Sequence, residues 1–367
     1  MRKLMLDHAQ AGMVVGKPVY GSAGQILLNT GTEIKQQHLF YLKQLGINSL
    51  YIRDYRMNEI EVDDVISEQV RSEGRALVAQ IIRDVDSPSP NNKGINVRER
   101  EINELVASIV EELIENRELT IQLVDIRSVD SYLFAHSVNC AVLSTLMAAK
   151  MDLDYNSLKD IALGSLLHDI GMAAVPAKIV NKEGELTRDE YETVKKHPIY
   201  GYEIFKKTSI FNKDAADAII QHHERNNGQG YPFGLKGDDI SLFAHFLSVA
   251  DTFDALTSDK PNRKAYLNHQ AVEMLMSWGG DFFNLEVLRH FLSNIAAYPV
   301  GSHVVLNNGE SGYVISNSPG YALRPVVRVL YKGESLSAHP TSYDLDLKKA
   351  LDKTIVDVLD GKMAVKC

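Results

Sequence analysis

The sequence predicts a multidomain α+β protein: a helical bundle preceded by a small β-rich N-terminal domain, with a short β unit near the C-terminus. Two observations carry this. Apolar residues recur with a period of two near each end of the chain and with helical spacing through the middle. A stretch rich in Pro, Asn and Ser, "RDVDSPSPNNKGINVRER", opposes regular structure between the first region and the second.

The elements follow in chain order. Residues 12–53 hold "GMVVGKPVYGSAGQILLNTGTEI", the helical "QQHLFYLKQLG" and "INSLYIRD". Gly-rich turns between Val, Tyr and Leu pairs predict a small sheet carrying one helix. A helical stretch from Glu59 to Ile82 completes a domain spanning 1–83, whose position suggests a regulatory or dimerising role. Residues 84–98 read as a linker. From Glu99, the residues Ile102, Leu105, Val106, Ile109, Val110, Leu113 and Ile114 form one apolar helical face. Helical spacing then runs to Asn294, broken by the polar "HERNNGQGYPFGLKGDD", which gives a helical domain over 99–300. The period returns to two after "AAYPVGSHVVL", and "YDLDLKKALDKTIVDVL" reads as a final helix. Residues 301–367 are thus expected as a β unit and a helix packed on the helical domain.

Composition bounds the function. With 367 residues, 45% apolar and 24% charged, the chain is long enough for two or three domains with large cores. A formal charge of −9 argues against a general DNA or RNA binder. Two cysteines are too few for a disulfide framework and suggest a reducing compartment. "MRKLMLDHAQAG" lacks the apolar run of a signal peptide, and no stretch approaches 18 uncharged apolar residues. A cytoplasmic protein without a membrane partner is the expectation.

Seven residues of the helical region stand out: His136, His168, Asp169, His197, His222, His223 and Asp251. Their successive groups lie 25 to 32 residues apart, about one helix and one loop each, so separate helices can aim them at a common centre. His168 and Asp169 sit in the apolar "LLHDIGMAAVP" and Asp251 in "LSVADTFDAL". Polar groups in such runs are costly unless something pairs them, and a metal pairs them all. Nitrogen and carboxylate ligands without cysteine suit iron, manganese, zinc or nickel. Seven ligands exceed one open site and suit two ions about 3.5–4 Å apart.

The motifs "HDIG", "HHERNNGQGYP" and "VADTFDALTSDKPNRKAY", in this order over about residues 120–300, resemble the HD-GYP family of metal phosphohydrolases. The resemblance implies an all-α HD-type bundle with iron or manganese, and hydrolysis of a cyclic dinucleotide, cyclic di-GMP or 3′,3′-cyclic GMP-AMP. The product is the linear 5′-phosphorylated dinucleotide, formed by attack of a hydroxide held between the metals. It further implies that His136, His168, Asp169, His197, His222, His223 and Asp251 are the ligands, with Asp169 bridging. Members with a third metal carry a glutamate four residues before His136; Tyr132 stands there, which implies two divalent ions. Lys260 and Arg263 match positions that hold phosphate, and Gly230, Tyr231 and Pro232 match the turn that supports substrate. Asp254, one turn beyond Asp251, reads as a supporting or proton-handling carboxylate.

Several positions depart from the family pattern. Met172 replaces a lysine that contacts phosphate. Asn226 and Asn227 replace an aromatic residue and an aspartate, and His245 an arginine; His245 is expected to be structural. Met172 supports a different reading, a weak or inactive relative that acts as a cyclic dinucleotide receptor or docks a partner. A homodimer or a signalling-protein partner fits either case.

Overall fold

A computed structural model describes residues 1–21, 25–57, 60, 64–86, 98–121, 132–182, 184–259, 264–332 and 337–359. These residues divide into two compact units. One gathers Met1–Asp64 and the chain from Leu292 onward; the other holds Val65–Glu118 and Ser131–Phe291. The boundary therefore falls at Asp64, ahead of the expected 83, and the C-terminal strands join the N-terminal unit instead of the helical domain. The expected linker lies almost wholly on 87–97, outside the described residues.

The first unit begins with β1 (Arg2–Met5), β2 (Val19–Tyr20), β3 (Ile26–Leu28), α1 (Gln36–Gln44) and β4 (Ser49–Ile52). The expected small sheet is realised as two antiparallel ladders, β1 with β4 and β2 with β3. Leu4, Val15, Val19, Ile34, Leu42, Ile47, Leu50 and Ile52 form its core.

The helical unit runs through α2 (Glu68–Asp86), α3 (Glu99–Glu115), α4 (Tyr132–Lys150) and α5 (Tyr155–Leu167). It continues with α6 (Ala177–Val180), α7 (Arg188–Val194), α8 (His197–Phe205), α9 (Lys213–Gln221), α10 (Leu242–Thr257) and α11 (Asn268–Phe282). Helix α12 (Leu285–Asn294) closes the helical stretch. Six of the seven apolar residues predicted to face one way on α3 are buried, with Ile114 left outside. Burial of each such side chain contributes roughly 1.5–3 kcal/mol. Helix starts are capped by short polar side chains: Asp154 accepts from Asn156 N and Ser157 N, and Asn212 accepts from Ala215 N. Helices α4, α5, α9 and α10 pack on one another and carry most of the candidate ligands.

The chain returns to the first unit as five antiparallel strands, β5 (His303–Leu306), β6 (Glu310–Ser316), β7 (Val326–Lys332), β8 (Ser337–Asp346) and β9 (Ile355–Val358), in the order β8-β7-β6-β5-β9. The expected final helix is absent from the described residues. Tyr343 and Leu345 pair with Val329 and Val327, and Ile355 and Val358 pair with Leu306 and Val304. The alternating "YDLD" and the β-branched Ile355 and Val358 satisfy the ladder. Leu347 is buried, whereas Leu351, one helical turn further on, is 73% exposed. The strands bind the N-terminal segment through Lys3 N donating to Gly301 O (3.0 Å) and Arg2 Nη1 to Tyr313 Oη (3.1 Å). Arg56 Nη1 donates to Tyr331 Oη (2.6 Å), and Asp54 accepts from Arg56 and lies 3.4 Å from Arg2 Nε.

Candidate metal centre

Five chain segments bring the predicted residues together. His136 lies one turn into α4, and Asp251 lies within α10. Helix α5 ends at Leu167: His168 keeps helical angles, and Asp169 (φ −93°, ψ 8°) leads into a 3-10 turn over Ile170–Ala174. Neighbours on a continuous helix point about 100° apart, and this break lets both side chains reach one centre. His197 opens α8, while His222 and His223 follow the end of α9. Gly171 holds the turn against α8, for a Cβ there would lie 2.0 Å from His197 O and 2.4 Å from Gly201 N.

The rings are aimed by their own backbone. The Nδ1–H groups of His168, His197 and His222 donate to the carbonyls of Ser165 (2.8 Å), Val194 (2.8 Å) and Ile219 (2.7 Å), each three residues back. A carbonyl only accepts, so Nδ1 carries the proton and Nε2 presents a lone pair inward. His136 Nδ1 donates in the same way to Asp254 Oδ2 at 2.7 Å. Asp169 lies among these nitrogens: Oδ1 is 3.2 Å from His197 Nε2, and Oδ2 is 3.4 Å from His168 Nε2 and 3.9 Å from His136 Nε2. Asp251 Oδ1 is 3.1 Å from His136 Nε2, and its Oδ2 is 3.7 Å from His223 Nδ1.

A cation fits this arrangement, and two features call for one. The Nε2 atom of the fully buried His168 has no hydrogen-bond partner. The Nε2 atoms of His197 and His222 face each other at 3.2 Å although both rings already donate through Nδ1. Two lone pairs at that separation repel, and an ion between them turns repulsion into ligation. Electrostatics agree. Burial, then the neighbouring His168 and His197, lowers the pKa of His222 to about 3, so it stays neutral. Burial opposes the charge of Asp169, yet His168, His197, His136 and His222 outweigh it and bring its carboxyl to about 2. A neutral His222 beside an ionised Asp169 is the pair of forms that binds metal. The donor atoms fall into three close sets: His197 with His222 and His223, His136 with His168, Asp251 and Cys140, and His168 with Asp169 and His222, which joins the other two. Cys140 Sγ lies 3.7 and 3.8 Å from the two nitrogens of His136, beside the ring and not beyond Nε2. It packs the ring in place, and burial pushes its thiol up to about 12.

Residues 102–286 match the family model described as the HD domain, half of the chain. The chain belongs to the HD domain family. Its "HHERNNGQGYP" segment places it in the HD-GYP branch, and residues 303–366 match the KOW domain associated with the HD domain. A cyclic di-GMP phosphodiesterase of Pseudomonas aeruginosa is 33% identical over 72% of this chain and 62% of its own. A cyclic di-GMP phosphodiesterase of Borreliella burgdorferi is 25% identical over 64% of each. The chain thus spans under two thirds of the length of these curated relatives. The solved structure of Bd1817, a HDG"Y"P protein from Bdellovibrio bacteriovorus, aligns over 79% of this chain and 97% of its own, at 21% identity and a TM-score of 0.38.

The other predicted residues divide in the HD domain structure. Tyr231 stacks on His223 (centroids 4.6 Å apart, planes at 33°), and its N–H donates to His223 O at 3.2 Å. Gly230 permits that turn, because a Cβ would lie 2.4 Å from Glu224 Cα and from Arg225 N. Pro232 follows it, and the buried Glu224 accepts from Phe233 N (2.7 Å) and Leu235 N (3.0 Å), tying the loop down. Asp254 stands behind His136 and also accepts from Asn139 Nδ2 at 2.9 Å, a position for orienting the ring. His245 contacts the Gly237 carbonyl at 3.3 Å, away from the ligands. Met172 is half-buried in the turn after Asp169. Lys260, Arg263 and the Tyr132 side chain lie outside the described residues. Sequence reading missed Asn139, although its place three residues after His136 sets it on the same helix face. It also missed Glu224, inside the quoted motif, and Cys140.

Among the described residues, no helix is long and apolar enough to cross a membrane.

Proposed function

We propose that this chain hydrolyses a cyclic dinucleotide, cyclic di-GMP or 3′,3′-cyclic GMP-AMP, to the linear 5′-phosphorylated dinucleotide. One observation carries the reading: five imidazoles converge on two carboxylates, with an orphaned Nε2 on His168 and opposed Nε2 atoms on His197 and His222. The names of the relatives supply the substrate class: cyclic di-GMP for those of Pseudomonas aeruginosa and Borreliella burgdorferi, 3′3′-cGAMP for three of Vibrio cholerae.

The donor set divides in a way that suits two divalent ions, iron or manganese. His136, His168 and Asp251 with Asp169 Oδ2 would hold one; His197, His222 and His223 with Asp169 Oδ1 would hold the other. When bound, such ions acidify water and neutralise phosphoryl oxygens. The chain supplies the rest. Asp254 keeps the His136 ring in one tautomer and orientation, and Tyr231 gives the rim an aromatic face beside His223. Lys260 and Arg263 are assigned to the substrate phosphates by their place in the sequence motif. Hydrolysis forms one bond from a water oxygen to phosphorus and breaks the bond to a 3′-oxygen, which leaves as a hydroxyl with a proton from that water, so the ring opens and the phosphate stays on the 5′-oxygen.

The test is anaerobic incubation of manganese- or iron-loaded protein with each dinucleotide, products being resolved by chromatography, beside an Asp169→Ala control. Linear dinucleotide that is absent from the control supports the reading. Tight binding of both dinucleotides without cleavage instead favours a receptor, the reading that the uncharged Met172 supports.

A further inference from the structure

We infer that Lys195 is a phosphate-binding residue of this site, held in place by Tyr191 and Tyr231 to meet a non-bridging oxygen of the substrate. The inference rests on the phosphodiesterase reading and extends it to a residue that no motif singled out.

Lys195 directly follows the last residue of α7, two residues before His197. Its neighbour Lys196 is exposed, whereas the Lys195 side chain is 28% exposed. Its Nζ lies 5.4 Å from the centre of the Tyr231 ring and 5.8 Å from that of Tyr191. Tyr231 in turn stacks on His223. A row therefore runs inward from the surface: Tyr191, half exposed, then the Lys195 ammonium, then Tyr231, then a predicted metal ligand. Two ring faces hold the ammonium by cation–π attraction where a free lysine would lose rotamer entropy on being ordered.

Among the described residues, the nearby cation Arg225 is committed elsewhere. Arg225 donates to Ser248 Oγ at 2.7 Å and lies over the Phe283 ring. Met172 sits on the turn that Gly171 packs against the start of α8, and it carries no charge. The ion-pair partner of Lys195 is Glu192, at 3.1 Å and three residues back, with a side chain 54% exposed. Such surface pairs are worth only about 0–1 kcal/mol. Glu192 therefore steadies the ammonium without competing strongly with a phosphodiester, whose other oxygens the metal site would neutralise.

The experiment measures binding of fluorescently labelled cyclic di-GMP to the manganese-loaded full chain by polarisation, together with bound manganese and turnover. A charge-assisted hydrogen bond lost in Lys195→Met predicts binding weaker by about 10- to 100-fold. Manganese content is expected to be unchanged, with Lys195→Arg retaining most of the affinity. Unchanged binding and turnover in Lys195→Met would overturn the inference, and so would loss of manganese in that variant, which would mark a structural role. A wild-type protein that neither binds nor cleaves the dinucleotide would sink the phosphodiesterase reading and this inference with it. A fully active Lys195→Met sinks the inference alone.

Discussion

Replacing Asp254 by asparagine separates orientation from proton transfer. Asp254 is fully buried; Oδ2 accepts from His136 Nδ1 at 2.7 Å and Oδ1 from Asn139 Nδ2 at 2.9 Å. An asparagine keeps the volume and one accepting oxygen, but its amide turns N–H groups toward the second donor. One buried bond is lost, and a buried donor left unsatisfied costs about 1–3 kcal/mol. Chelator-treated Asp254→Asn should therefore unfold at lower urea concentration than chelator-treated wild type, with an unchanged slope. The His136 ring also loses the carboxylate that fixes its tautomer, which in comparable sites weakens metal affinity or activity by about 10- to 100-fold. Manganese titration followed by calorimetry measures the first effect and chromatography the second. Saturating manganese should restore most of the turnover. Full metal affinity with turnover as low as in Asp169→Ala would refute that expectation and return Asp254 to a proton-handling role.

Gly171→Ala places a methyl carbon 2.0 Å from His197 O, so the turn or the start of α8 must shift. Metal stoichiometry is expected to fall while the circular dichroism of the helices persists. Removal of metal by a chelator should lower the midpoint of thermal unfolding, since an ion at a hundred times its dissociation constant adds about 2.7 kcal/mol; an unchanged midpoint would argue against a bound ion. In the first unit, burial, then Arg2 and Arg56, lowers the pKa of His303 to about 4 from an ordinary 6.5. Its ring stacks on Tyr313 and lies beside Tyr331. The unfolded chain binds the proton more readily, so this stabilisation is complete above pH 6.5 and is lost as pH falls toward 4, with about 2 kcal/mol gone by pH 5. Urea midpoints at pH 7 and pH 5 should differ more for wild type than for His303→Phe; equal differences would refute the assignment.

What the sequence made legible follows from what burial forbids. His168, Asp169 and Asp251 betrayed themselves because ionisable groups inside apolar runs need a partner, and all seven candidates converge in the structure. The face of α3 was readable for a similar reason: six apolar side chains repeat at one helical spacing. Roles that depend on distant segments were not. Asn139 matters because Asp254, 115 residues away, accepts its proton, and Lys195 because Tyr231 lies over it. The C-terminal segment misled because Leu347, Leu351 and Ile355 fit a helical repeat as well as "YDLD" fits a strand. Pairing with β5 and β7 decided between them, and pairing partners are invisible in a local window. The division at Asp64 was hidden for the same reason, since Arg2 and Arg56 find their phenolic partners more than 270 residues later.

The carbonyls of Ser165, Val194 and Ile219 each grip an imidazole from within the same stretch of chain. The aim of these three rings is consequently set by main-chain acceptors, which no side-chain substitution removes.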